Sequence, residues 1–211
     1  MLEHLIYMSG EEFVKKILDD ERDLSSIKLK PEFDLSGYEG FKELQDYLRE
    51  QNLNENPIYI RDSEFMYIKA KGLFLPYVRG VRSKFEGANL SGAKLMRAEF
   101  CGANFKGADL SGTDFGESDF WEAYFTEANL TRAIFNGAEF SNANLDSANL
   151  EGADLLMADF NDANLKRANL KNVMNLEKTL NIEYAHFYDT KVTDKEMKII
   201  ELKRRKLFII E

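Results

Sequence analysis

The sequence predicts an all-β solenoid of four-sided coils with short flanking α-helices as caps, and three observations predict it. From Glu86 to Leu170 the chain divides without a gap into seventeen five-residue units, beginning EGANL SGAKL MRAEF and ending KRANL. The fifth residue is Leu or Phe in all seventeen, and the third is Ala in fifteen, with Thr113 and Ser118 the exceptions. At every twentieth residue, Leu90, Leu110, Leu130, Leu150 and Leu170 form an all-Leu column, and Phe100, Phe120, Phe140 and Phe160 an all-Phe column. A period of five fits neither a helix nor a long strand. Within one unit, however, Ala88 and Leu90 sit two apart and share a side while Asn89 faces away, which is strand alternation. Short extended pieces joined by turns wind about an axis. Sorting at twenty is what four pieces per turn produce, with like side chains stacked at the ~4.8 Å spacing of paired strands.

The elements follow in order. Residues 1–60 are expected to form an N-terminal helical capping region, because solenoid ends expose backbone groups and apolar stacks. Ser9 and Glu12 have capping-box spacing and open a helix with Phe13, Val14, Ile17 and Leu18 on one face. Ser36 and Glu39 have the same spacing and predict a second helix with Phe41, Leu44 and Leu48 inward. Between them, DLSSIKLKPEFDL alternates enough for a strand or a broken coil. Residues 61–180 are the solenoid, with strict units over 86–170. In 61–85 the phase persists weakly, and Ile68/Ala70 and Val78/Gly80 put the larger residue early, so this reads as a degenerate first coil. About five and a half coils result, a rod on the order of 26 Å long. The phase fails at Asn175, and residues 181–211 form a C-terminal helical cap or dimerisation segment. There Thr193 and Glu196 open a third helix carrying Met197, Ile199, Ile200 and the basic run Lys203 to Lys206. The apolar finish Leu207–Ile210 is expected to pack on the last coil or on a second copy.

The A(D/N)LxX pattern of the seventeen units resembles the pentapeptide repeat proteins. The resemblance covers about 85 of the 211 residues strictly. It implies a right-handed quadrilateral β-helix in which the large fifth residue and the small third residue face inward. The structural ladder is then Leu90, Phe100, Leu110, Phe120, Leu130, Phe140, Leu150, Phe160 and Leu170. Some members of that family imitate duplex DNA for type II topoisomerases and are dimers joined through C-terminal elements. By that likeness residues 194–211 would join a homodimer. Several quinolone-protecting members carry projecting loops, and this chain has no insertion between 86 and 170.

Composition narrows the function. With 28 basic and 37 acidic side chains the formal charge is −9, which argues against direct nucleic-acid binding, since phosphate needs basic surface. No run reaches the ~18 apolar residues of a membrane helix, and the start lacks a basic, then apolar, leader pattern. The lone Cys101 cannot make an internal disulfide, so a cytoplasmic setting is expected. Catalytic machinery is sparse. His4 and His186 lie near opposite ends, and HExxH, CxxC, GxSxG and phosphate-binding glycine motifs are absent from the sequence. No catalytic residue, cofactor or metal site is therefore assigned. A carboxylate-based enzyme or metal binder is the rival class, and it would need an apolar pocket to split two carboxyl pKa values.

Charge falls unevenly around the coil. With each unit and its two following residues assigned to one side, the Phe100 side carries Glu99, Asp119, Glu122, Glu139, Asp159 and Asp162 without Lys or Arg. The other three sides are nearly balanced. Like charges stacked at ~5 Å repel, so stability does not favour this column. Acidic surface also serves solubility. Trp121 and Tyr124 straddle a corner of the same side as candidate aromatic anchors. Met96, Ile134, Leu156 and Met157 form an apolar strip on another side, for which cover by a terminal helix is expected. The functional expectation is a non-enzymatic scaffold for protein–protein interaction, with a DNA-mimicking modulator of a type II topoisomerase as the alternative.

Overall fold

A computed structural model describes residues 5–207, with side chains through 205. His4 and residues 208–210 of the apolar finish lie outside the described residues. The element order is β1 (Ile6–Met8), α1 (Gly10–Leu18), β2 (Ile27–Leu29), α2 (Phe41–Glu50), the solenoid proper, and α3 (Asp194–Leu207).

Each unit contributes one paired position, its fourth residue, and pairs in parallel with the residue twenty further on. Asn89 pairs with Asp109, Asp109 with Asn129, and Asn129 with Asn149. Four such columns run side by side, so twenty residues make one turn with four paired positions. The backbone is satisfied both ways along the axis. The Asn89 N–H donates to Ile68 C=O one coil back at 2.8 Å, and the Leu90 N–H to Asp109 C=O one coil on at 2.8 Å. Between units the chain turns through a residue of positive φ, Gly92 at +67° or Arg97 at +58°. The recurrent glycines answer this left-handed requirement.

Inside, the Leu column from Leu90 to Leu170 and the Phe column from Phe100 to Phe160 are all 2% exposed or less. Phe rings stack along the axis, Phe120 on Phe140 at 5.1 Å and Phe140 on Phe160 at 5.0 Å. They meet neighbouring columns edge to face, as Phe115 meets Phe120 at 5.0 Å and 85°. Thr113 and Ser118, the two units without Ala, are buried and hydrogen-bond carbonyls one coil back, those of Leu90 and Leu95. A small hydroxyl thus replaces a methyl at no unpaired cost.

The pairing extends beyond 61–180 at both ends. Asp23, Lys28 and Asp34 pair with Tyr59, Glu64 and Lys69, so 23–35 is a coil from which α2 is inserted. β1 adds one rung more, with Tyr7 opposite Lys28. At the far end Asp159 pairs with Leu180 and Asn164 with His186. The spacing there grows because one-turn 3-10 helices at Leu176–Lys178 and Ile182–Tyr184 add residues. The column from Tyr7 through Lys28, Glu64 and onward to His186 has nine rungs, roughly 38 Å at the paired-strand spacing. This is longer than the 26 Å expected, because coils without the repeat signature still wind.

The caps are helical. α1 begins as predicted, with Ser9 Oγ accepting the Glu12 N–H at 3.0 Å, and it buries Phe13, Val14 and Ile17. α2 does not begin at Ser36. That hydroxyl donates to Asp34 Oδ1 at 2.9 Å, and the Ser36 N–H stays in the coil, donating to Lys69 C=O at 3.0 Å. The helix starts from an N-cap four residues later, Gly40, without a side-chain cap, and buries Leu44 and Leu48. Gln45 from α2 closes an edge: its Oε1 accepts the Phe74 N–H at 2.7 Å, where the Phe74 column has its first rung. α3 follows Thr193, whose N–H donates to Glu196 Oε2 at 2.7 Å. It packs on the 3-10 turns through Ile200, and Lys203 Nζ donates to Thr179 C=O at 2.7 Å.

Candidate protein-binding face

The fourth residue of a unit points outward and does one local task. Its side-chain oxygen accepts the N–H two residues on, which holds the turn. Asn does this at Asn89, Asn104, Asn129, Asn144, Asn149, Asn164 and Asn169. Carboxylates do it equally: Asp119 accepts the Trp121 N–H at 2.9 Å, Glu139 the Ser141 N–H at 2.8 Å, and Asp159 the Asn161 N–H at 2.9 Å. The turn therefore does not choose between amide and acid.

Stacking does distinguish them. Asn129 Nδ2 donates to Asp109 at 3.0 Å, Asn164 to Asn144 at 3.0 Å, and Asn169 to Asn149 at 2.9 Å, so an amide can bond the rung before it. A carboxylate has no proton to give. Yet Glu99, Asp119, Glu139 and Asp159 pair in one unbroken column.

Elsewhere the coils match opposite charges twenty residues apart. Arg82 meets Asp62 at 2.7 Å, Lys84 meets Glu64 at 2.9 Å, and Arg97 meets Glu117 at 3.0 Å. Glu99 closes the same pattern with Arg79 below it. Beyond Glu99 the pairing on this side stops. Among the described residues, Asp119, Glu122, Glu139, Asp159 and Asp162 make no ion pair with a basic side chain. Neutral Asn181 donates to both Asp159 oxygens at 3.0 and 2.8 Å, and Asn161 donates to Asp162 at 3.0 Å. Glu122 and Asp162 are exposed at positive-φ corner positions, and the four column carboxylates are half-buried between their neighbours.

Beside the acids, Trp121 is 46% and Tyr124 51% exposed. Tyr124 stands in the next column, between Asn104 and Asn144, so the two rings flank Glu122 across the corner. Cys101 lies on the acidic side below Trp121. Its thiol is pushed up to about 12, chiefly by burial and then by the neighbouring Asp119 carboxylate, so it stays a thiol at neutral pH. On the apolar strip Met157 keeps 50% of its surface open, whereas Met96, Ile134 and Leu156 are half-buried. The expected cover by a terminal helix does not reach Met157.

Sequence reasoning missed the Arg79 partner of Glu99 and the Asn181 contact to Asp159. Arg79 stands twenty residues before Glu99, so the same period would have found it. Asn181 follows a break in the period and had no sequence signal. Among the described residues no three His, Cys, Asp or Glu side chains converge as metal ligands do. No described helix is long and apolar enough to cross a membrane.

The family model described as Pentapeptide repeats matches residues 83–121, 123–155 and 143–174. Among solved structures, a pentapeptide repeat protein from the Arabidopsis thaliana thylakoid lumen is 29% identical, with 45% of this chain and 66% of that chain covered and a TM-score of 0.44. QnrB1, a plasmid-mediated fluoroquinolone resistance protein, is 16% identical over 69% of this chain and 89% of its own, TM-score 0.34. HetL, a pentapeptide repeat protein involved in heterocyst differentiation regulation from the cyanobacterium Nostoc sp., is 19% identical over 87% and 94%, TM-score 0.25. No curated protein matches the chain. Residues 83–174 therefore match the pentapeptide repeat family model, apart from position 122.

Proposed function

We propose that this protein is a non-enzymatic scaffold that binds a basic protein partner through its acidic side, on a coil that winds right-handed with a square section. The observation that carries the reading is the column Glu99, Asp119, Glu139, Asp159. Asn serves the same turn in the adjacent Asn104 column and the opposite Asn89 column and adds bonds between some rungs, so carboxylates here forgo stabilisation that an amide supplies. Three successive coils, at Asp119, Glu139 and Asp159, carry carboxylates that no basic side chain pairs among the described residues, and such charge attracts a basic surface, speeds encounter and makes it salt-dependent. Trp121 and Tyr124 supply exposed aromatic area beside that charge, as interface anchors do.

The second reading, favoured by the rod shape and the one-sided charge, is that the basic surface is the DNA groove of a type II topoisomerase and the protein modulates that enzyme as a DNA mimic. Supercoiling and relaxation assays titrated with this protein at low and moderate salt separate the two. Salt-sensitive inhibition is expected for the mimic, and its absence leaves the scaffold with another partner, to be isolated by pull-down. Substituting Lys at Glu99, Asp119, Glu139 and Asp159 together leaves the core untouched and is expected to abolish binding. A variant that keeps every partner of the parent would sink both readings.

A further inference from the structure

The core of the solenoid is not filled evenly. At position 80 the chain has Gly where the coils above it place Phe100, Phe120, Phe140 and Phe160. At position 70 it has Ala under the Leu column, but Ile68, standing where higher coils have Ala, restores that volume. Val78 with Gly80 replaces Ala98 with Phe100 and does not. The Phe100 ring leans into the gap: a Cβ on Gly80 would lie 2.6 Å from Phe100 Cε1 and 2.8 Å from its Cδ1. A cavity of about 30 Å³ lies in the N-terminal coils, lined by Ile60, Val78 and Phe100 among others, with Phe13 and Ile17 of α1 and Leu44 and Leu48 of α2 on its wall. All the lining residues are apolar and buried.

We propose that this cavity is a binding site for one small apolar molecule the size of xenon or dioxygen. Chemistry excludes water as the occupant, because the wall offers no partner for its hydrogen bonds, and cavities lined in this way stay dry and accept apolar ligands. Size sets the class. The volume exceeds the roughly 10–15 Å³ that admits a water-sized sphere and falls far below the ~150 Å³ of an engineered cavity that takes benzene. A monatomic or diatomic guest restores dispersion contacts that the lining atoms lack toward the void. Two short helices form the cover, nine and ten residues long, so access requires only that α1 and α2 part at the mouth of the coil. The site is independent of the acidic face.

The test is a xenon-pressure titration of the full chain with 13C-labelled Ile, Leu and Val methyls. Saturable shifts are expected at Ile60, Val78, Leu44 and Leu48, and none at Leu130 or Leu150 in the packed coils. Val78→Ile adds a methylene into the cavity and is expected to reduce the xenon response several-fold. Shifts that do not saturate, or that spread evenly over both sets of methyls, would overturn the proposal even without the variant. An unchanged response in a folded Val78→Ile protein would overturn it too. Benzene is expected to leave the methyls unmoved, and saturable benzene binding would overturn the size assignment.

Discussion

Phe120 has no exposed surface and touches rings above, below and beside it, Phe100, Phe140, Phe115 and Phe125 among them. Phe120→Ala is expected to cost ~3–5 kcal/mol in urea unfolding, because a ring held on four sides cannot be replaced by relaxation. Glu64 illustrates the polar counterpart. Its carboxyl sits between Lys28 at 2.6 Å and Lys84 at 2.9 Å, and those hydrogen bonds, Lys28 first, hold its pKa below the usual carboxylate value. A carboxyl whose pKa is lowered by folding stabilises above its unfolded pKa, and that contribution is lost as pH falls through the folded value. The stability difference between the parent and Glu64→Gln is therefore expected to be full near pH 7 and to shrink below about pH 4.3. Chemical denaturation at stepped pH checks the sign. At this scale the inward residues were legible because their size recurs. The partners of outward residues were legible only where the period of twenty holds, as for Arg79 and Glu99.

Each element earns its place by covering something. The first helix was readable from Ser9 and Glu12, whose contact is local and survives any tertiary context. Ser9→Ala is expected to lower stability by about 1 kcal/mol, measured by thermal unfolding. The second helix was displaced from its expected start because Asp34 competes for the Ser36 hydroxyl while Lys69 holds the Ser36 backbone. A capping motif within reach of a coil serves the coil. Gln45 shows the tertiary role of α2, since it supplies the acceptor that a missing coil would have given Phe74. Gln45→Ala leaves that N–H without its partner and is expected to cost ~1–3 kcal/mol, with faster amide exchange at Phe74 as the local readout. Nothing in the chain near Gln45 announces this, because the contact spans 29 residues.

Across the molecule, stacking converts a sequence period into columns, and columns into faces. Ion pairs lace the N-terminal coils, amides join several rungs of two columns, and among the described residues one side carries carboxylates without cations from Asp119 to Asp162. The sequence by itself determined the repeat, the inward and outward positions, the twenty-residue turn and the acidic side, since all four follow from a period that local sterics and side-chain size enforce. Only the tertiary structure decided where the coil begins and ends, which capping motif becomes a helix, and that Met157 stays open. It also decided which acids find partners and that a cavity lies where α1 and α2 meet the first coils. Those outcomes depend on contacts between segments whose spacing is not twenty, and a period carries no information about them.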